Sequence, residues 1–480
     1  MSTFDLVIKG GTVVTAADSI RCDVGIRGGR VVALANDLDG AEVIDATGKL
    51  VLPGGIDSHC HIAEEGFYGV ESVDDFESGT VSAAFGGTTT IVPFAEQKRD
   101  KSLRAAIQDY HAKAEGKAVI DYAFHTILVD PDERVLGQEL PALIEDGYTS
   151  YKVYMTYDDL AVDDNGILNL LEASKTHGAI VMIHAESDSC IHHLVAKLEA
   201  AGDTSLASYP LMAPQPVERE ATHRAITLGE LVDTPILLVH VSAAQAMEQI
   251  RWAQNRGLKV YGETCPQYLF VSEDQITQSG WEGAKFVCAP VPRDESNQAE
   301  IWNGIASGVF QVVSSDHCAF LFDSPTGKKV TGGDAPHFRQ VPPGLPGIEA
   351  RLPLMFSEGV GKGRIDLNTF VSVTATNAAK IYGLYPRKGT IAVGSDADIA
   401  IWDPEKQVTI TVDALHDAMD YTPYEGFEIT GWPETVISRG DVIVQGGEMN
   451  AAPGRGVFLP CDRPDPTPPV GTPVESGVQS

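Results

Sequence analysis

The sequence predicts an α/β protein, a (β/α)8 TIM-like barrel with a smaller β-sandwich-like unit formed by the two chain ends. Three observations carry this. Eight apolar, strand-like runs succeed one another between residues 52 and 318, longer helix-compatible stretches separate them, and a glycine-punctuated strand texture at residues 4–52 returns after residue 389. Strands alternating with helices make parallel βα units, and eight such units close a barrel. A chain of 480 residues would divide into three average domains. A barrel, however, takes about 250 residues as one unit, so one large core with appendages is the better division.

Taken in order, the first segment (LVIKGGTVVT, VGIRGGRVVAL, EVIDATGKLVL) alternates short apolar runs with Gly, Asn and Asp turn signals, which predicts short antiparallel strands. The eight barrel runs follow at residues 52–62, 86–95, 121–129, 148–155, 179–186, 234–242, 259–269 and 309–318. Among the connectors, Leu103, Ile107, Tyr110 and Ala114 recur at helical spacing and predict an amphipathic helix. The strand texture then resumes in GTIAVGSDADIAIWDP and ETVISRGDVIVQGGE, so residues 1–53 and 384–460 are expected to share the small β unit, with the barrel over 54–383. Ala451 onward is rich in Pro and Gly and lacks periodicity, and residues 461–480 read as an extended tail, either disordered or packed on a neighbouring subunit.

Asp and Glu number 67 against 35 Lys and Arg, a formal charge of −32, so the long-range field repels phosphate backbones and anionic membranes. Nucleic acid is therefore not an expected partner. No window approaches the roughly 18 apolar residues of a membrane span, and the N-terminus lacks the pattern of a secretory signal. The seven cysteines are odd in number, scattered and free of C-x-x-C pairs, as expected of reduced thiols in a cytoplasmic protein.

The polar residues of interest fall at the C-terminal ends of the barrel runs, where barrel enzymes build their sites. His59 and His61 are two apart and project from one face of a strand, while Cys60 points the other way. Runs four, five, six and eight contribute Lys152, His184, His240 and Asp316. A single His at a strand end is more often a hydrogen-bonded structural residue, and Asp316 alone could be a capping carboxylate. Co-location decides between the readings, because structural histidines have no reason to gather at one end of successive strands. Lys152 lies in an apolar run, where an ammonium is costly unless paired or chemically changed. Imidazoles with a carboxylate suit a borderline divalent ion such as zinc, although other divalent metals are compatible. Six ligands exceed the needs of one ion, whereas two ions about 3.5–4 Å apart can share a bridging hydroxide and polarise a carbonyl. A bidentate anion to bridge them could come, among these six, only from a modified Lys152.

The set GGIDSHCHI, YKVYMTY, IHAES, LVHVSAAQA, GETCPQYL, SSDHCAF and GSDADIAIWDP, in this order, resembles the cyclic amidohydrolases of the dihydropyrimidinase and hydantoinase family, and the likeness extends to about residue 460. The resemblance implies that Lys152 is carboxylated and bridges two zinc ions. It implies His59 and His61 on one ion, His184 and His240 on the other, and Asp316 on the first. It gives Asp316 the role of general base and then acid, and Tyr157 that of a hydrogen-bond donor to the developing oxyanion, where a lone loop Tyr would otherwise be an ordinary aromatic. The implied reaction opens a dihydropyrimidine or 5-substituted hydantoin to an N-carbamoyl amino acid, and the implied assembly is a homotetramer.

Four positions depart from the family pattern. Ala289 and Pro343 replace a Ser and an Asn that hold the substrate ring largely through main-chain atoms; a main-chain carbonyl survives in each and Ala289 keeps its N–H, while the side-chain support changes. In the loop AEEGFYGV, which the resemblance assigns to gating the ring substituent, Glu64 and Glu65 are acidic where relatives are apolar; they are either solvated or face substrate, and Phe67 and Tyr68 could line the pocket. Ala63 stands where dihydroorotase-like sites carry an Arg that clamps a carboxylate, which argues against that substrate. A cyclic imide hydrolase on the same site stays open as an alternative. A non-catalytic scaffold is disfavoured because all six ligand positions are filled, and Lys152 favours a dinuclear site over a mononuclear deaminase.

Overall fold

Period-two alternation of buried side chains sets the central architecture. In the strand Ser150–Tyr154, Tyr151 and Val153 face an outer apolar layer, while Tyr154 belongs to an inner cluster with Ile56, Phe94, Met182, Leu237, Tyr261 and Val312. This parity puts Lys152 on the inward side. The computed structural model describes residues 4–64, 70, 72–333 and 335–464. Its barrel strands are β1 (Gly55–Asp57), β2 (Thr88–Ile91), β3 (Asp121–Tyr122), β4 (Ser150–Tyr154), β5 (Ile180–His184), β6 (Ile236–Leu238), β7 (Val260–Thr264) and β8 (Val312–Val313). After short breaks β2 resumes at Phe94–Glu96 and β3 at His125–Ile127, and all neighbours pair in parallel from β1 through β8. Beyond β8 the ring is closed by His317–Cys318, which pairs in parallel with Cys60–His61, and by Asp316 N donating to His59 O at 2.8 Å.

Helices cover the outside. The expected amphipathic connector is Leu103–Ala114, capped by Ser102 and burying Leu103, Ile107, Tyr110 and Ala114, the four residues singled out by spacing. Asp163 caps Asp164–His177 through a hydrogen bond from Gly166 N, and Gly178, with φ of +84°, ends it in the left-handed conformation that glycine adopts freely.

Strands from both chain ends share one seven-stranded sheet, in which Leu50–Pro53 pairs with Ile399–Thr409 and Thr12–Val14. A four-stranded sheet of Phe4–Lys9, Asp23–Arg27, Arg30–Ala35 and Gly40–Asp45 packs on it through Leu6, Ile8, Val24, Ile26, Val51, Ile399 and Ile437. The N-terminal strands are mixed, not purely antiparallel as expected: Phe4–Lys9 runs parallel to Gly40–Asp45, and Thr12–Val14 parallel to Leu50–Pro53. The first apolar run also divides. Leu50–Pro53 belongs to the end sheet and Gly55–Asp57 to the barrel, separated at Gly54, where a Cβ would lie 2.1 Å from Thr89 Oγ1.

The segment after Ala451 packs back on the barrel as far as it is described. Phe458 meets Tyr122, Phe124, His111 and Tyr148, and Leu459 and Cys461 are buried in the inner cluster. Residues 465–480, most of the expected tail, lie outside the described residues. The seven cysteines are free thiols, and among the described residues no helix is long and apolar enough to cross a membrane.

Lys388 joins barrel and end sheet. Its buried ammonium donates to Asp121 at the start of β3 (2.7 Å) and to Asp398 (2.5 Å), with Asp396 at 3.2 Å. Removing one partner of a buried ionic cluster strands the remaining charges. Lys388→Met is therefore expected to lower the free energy of unfolding by about 3–5 kcal/mol, read from denaturant titration.

Candidate metal centre

The end of β1 delivers His59 and His61 to the barrel mouth, and neighbouring carboxylates fix how their rings face. Glu263 of β7 places Oε1 2.6 Å from His59 Nδ1 and also accepts from His240 N at 3.1 Å. Glu64 places Oε2 2.7 Å from His61 Nδ1. With each Nδ1–H directed at a carboxylate, both Nε2 atoms turn to Asp316, whose Oδ1 lies 3.3 Å from His59 Nε2 and 3.4 Å from His61 Nε2. Ligand atoms of these three residues lie within 4.8 Å of one another, a spacing that could hold a metal ion.

The second pair of imidazoles adjoins the first. His184 Nδ1 lies 2.9 Å from His240 Nε2, and the His240 ring is 5.2 Å from that of His59. His184 Nε2 is 2.8 Å from Glu186 Oε2, which leaves Nδ1 as the free lone pair. His240 Nδ1 is buried without a hydrogen-bond partner. Two imidazole nitrogens directed at each other in a buried, acceptor-rich site suit a cation, and the donor set fits a metal group here.

Lys152 stands between the pairs, fully buried, with Nζ 3.2 Å from His59 Nε2 and 4.9 Å from the ring centres of Phe94 and Tyr154. Burial pushes its amine down to about 8, against the opposing pull of Asp316, Glu263 and Glu64. Burial, reinforced by Lys152, drives His59 well below its ordinary range. Burial would lower His61 too, but Glu64 and Asp316 outweigh it and hold this imidazole at about 10. Burial raises Glu263 to about 8.

Tyr157 is 5.2 Å, ring to ring, from His184, and burial raises its phenol well above the ordinary value, so it remains an O–H donor. Tyr157, His240 and Asp316 all have positive φ (76°, 39° and 49°), a strained backbone for residues other than glycine. Such strain at three strand ends of one mouth is consistent with a functional site. A cavity of about 780 Å³ opens beside His61 and is lined by Glu64, Tyr157, Glu186, Ala289, Cys318 and Pro343 among others.

The six candidate ligands and Tyr157 thus come together, and Ala289 and Pro343 reach the same cavity. Glu64 is not simply solvated: its side chain is largely buried, hydrogen-bonded to His61, and lines the cavity. Glu65, Phe67 and Tyr68 lie outside the described residues. Sequence reasoning missed Glu263 and Glu186 as partners of the imidazoles. For Glu263 a signal existed: a carboxylate in an apolar strand, two residues from inward-facing Tyr261.

The pattern that the amidohydrolase family shares matches residues 50–443. The chain belongs to the amidohydrolase family. Within it this hydrolase is 46% identical over 457 residues to a D-hydantoinase of Geobacillus stearothermophilus, covering 94% of this chain and 96% of the relative. It is 39% identical over 466 residues to a dihydropyrimidinase of Rattus norvegicus, covering 95% and 88%. Among solved structures, the dihydropyrimidinase of Brevibacillus agri superposes with a TM-score of 0.92 at 43% identity, covering 96% of this chain and 99% of that one. An L-hydantoinase of Arthrobacter aurescens gives 0.87 at 29% identity, with coverage of 95% and 100%.

Lys152 yields a pH prediction for this amidohydrolase without metal. The folded chain releases the Lys152 proton near pH 8 and the unfolded chain near 10.5, so between these values the unfolded chain binds more protons and stability rises with pH. Below pH 8 the buried ammonium is a net cost. Lys152→Met is expected to make the metal-free protein more stable at pH 7, by about 3 kcal/mol, with the gain shrinking as pH climbs toward 10.5. Denaturant midpoints across that range measure it, and equal midpoints at pH 7 would refute it.

Proposed function

We propose that this amidohydrolase opens the ring of a dihydropyrimidine or a 5-substituted hydantoin by metal-assisted hydrolysis, giving an N-carbamoyl amino acid. The observation that carries the reading is the convergence of His59, His61 and Asp316 on one point beside a buried Lys152 amine. In this reading His59, His61 and Asp316 would hold one zinc ion, and His184 and His240 would hold the other. Lys152 Nζ, by adding to the carbon of carbon dioxide and losing a proton, would carry a carbamate and so would supply anionic oxygens to the same ligand set. An amine lowered to about 8 supports this, because a larger fraction is uncharged and nucleophilic near neutrality than in an exposed lysine. When bound, the ions polarise the ring carbonyl and activate water for attack.

The chain's own residues carry the rest. Ala289 and Pro343 present main-chain groups to the ring edge, which turns the scissile carbonyl toward the ligand cluster. As water adds, Asp316 accepts its proton at a carboxylate oxygen and passes it to the ring nitrogen, so the C–N bond breaks with a neutral leaving group. The Tyr157 hydroxyl donates to the carbonyl oxygen while negative charge grows there. Around this site we assign residues 1–53 with 384–460 to the end unit, 54–383 to the barrel, and a homotetramer in the cytoplasm.

The reading is tested by supplying zinc-reconstituted protein, prepared with bicarbonate, with dihydrouracil, both enantiomers of substituted hydantoins, and cyclic imides. Ring opening of the first two classes is expected. Turnover of imides alone would move the assignment to an imidase, and no turnover of any of them would end it. Tyr157→Phe should retain bound metal and lower kcat by about 100- to 1,000-fold, the effect of one lost oxyanion donor. A kcat within twofold of the unsubstituted enzyme would remove Tyr157 from that role.

A further inference from the structure

We propose that Lys328 is a positioning residue that holds the two ring-binding backbone segments, around Ala289 and Pro343, in register from behind the pocket wall. The inference rests on the function proposed above. Lys328 is 0% exposed, and its Nζ donates to Val287 O and to Pro342 O, both at 2.8 Å. Val287 lies two residues before Ala289, and Pro342 directly precedes Pro343. One ammonium therefore ties together the loops after β7 and β8 that line the cavity.

The surroundings are built to receive this side chain. Lys328 N donates to Leu321 O at 2.8 Å, and Gly327 packs so closely there that a Cβ would lie 2.0 Å from the same oxygen. Gly344 N donates to Val287 O at 3.0 Å, and a Cβ at Gly344 would meet Cys318 O at 2.7 Å. Two carbonyls could be satisfied at less cost by backbone N–H groups or water, since a buried cation is expensive. Lys328 reaches both loops at once and, together with the direct Gly344 N–Val287 O bond, fixes their spacing. Ala289 and Pro343 carry no polar side chain of their own, so fixing from behind is what keeps their main-chain groups at the ring. Burial pushes the Lys328 amine down to about 7, yet even an uncharged amine retains two N–H bonds for the two carbonyls.

The test compares Lys328→Met with the unsubstituted zinc holoenzyme on whichever cyclic amide the latter opens. The expected result is a KM raised about 10-fold or more, with kcat within about threefold and metal content unchanged, the pattern of lost substrate positioning. Hydrogen exchange should quicken in residues 287–291 and 341–345 while the β4 and β5 amides keep their protection. Lys328→Arg, which retains donors, should recover part of the KM. An unchanged KM in Lys328→Met would overturn the proposal, as would unchanged exchange in both segments. If Lys328→Met does not fold, Lys328→Gln, with one donor group, is read by the same criteria. Failure of the unsubstituted enzyme to open any cyclic amide would count against the proposed function alone, because the exchange comparison reports on the two loops without substrate.

Discussion

A lysine amine enclosed in the barrel, facing an imidazole where a carboxylate would be the inexpensive partner, is the constraint around which the rest of the site is arranged. Strand parity puts it there: Tyr151 and Val153 must face the helices, so Lys152 and Tyr154 face inward. Water cannot solvate the amine, and Phe94 and Tyr154 offer only their ring faces. The charge is tolerated because Asp316, Glu263 and Glu64 oppose the effect of burial without abolishing it. In the proposed function this is the group converted to an anion that neighbouring cations would share, which would link the cost of folding to the chemistry of the site.

The imidazoles depend on a surrounding set of carboxylates. Glu263, Glu64 and Glu186 each receive or face a ring nitrogen of His59, His61 or His184, and so determine which nitrogen faces the cluster. Positive φ at Tyr157, His240 and Asp316 shows the chain bending sharply where three strands end, and the barrel supports the cost of that geometry. The end sheet contributes at a distance: Lys388 binds Asp121 of β3 to Asp398, fixing one strand against the unit that the chain termini build.

Much of this was legible in the sequence because two periodicities were strong. Alternation in YKVYM put Lys152 inside, and spacing of three and four identified the buried face of Leu103–Ala114. Five of the six ligand candidates could be read because they fall at or just past strand ends, and Lys152, mid-strand in Ser150–Tyr154, because it is a lysine in an apolar run. What stayed hidden depends on tertiary contact. Nothing in AEEGFYGV says that Glu64 turns back to His61, nor that the parallel pairing of Phe4–Lys9 with Gly40–Asp45 replaces a simple hairpin. Glu263 was visible as an acid in an apolar strand, but its two acceptor contacts span the barrel. Lys328 follows a Pro- and Gly-containing loop that has no periodicity, and only the fold shows that its amine joins two distant carbonyls.

The central claim, that the buried amine of Lys152 is the atom that becomes a shared anion, is tested most directly by carbon-13 NMR of zinc-reconstituted protein equilibrated with labelled bicarbonate. The account predicts one protein-bound carbamate carbon per subunit, absent from Lys152→Met prepared in the same way. A fully active, metal-loaded enzyme with no carbamate resonance, or the same resonance in Lys152→Met, would contradict it.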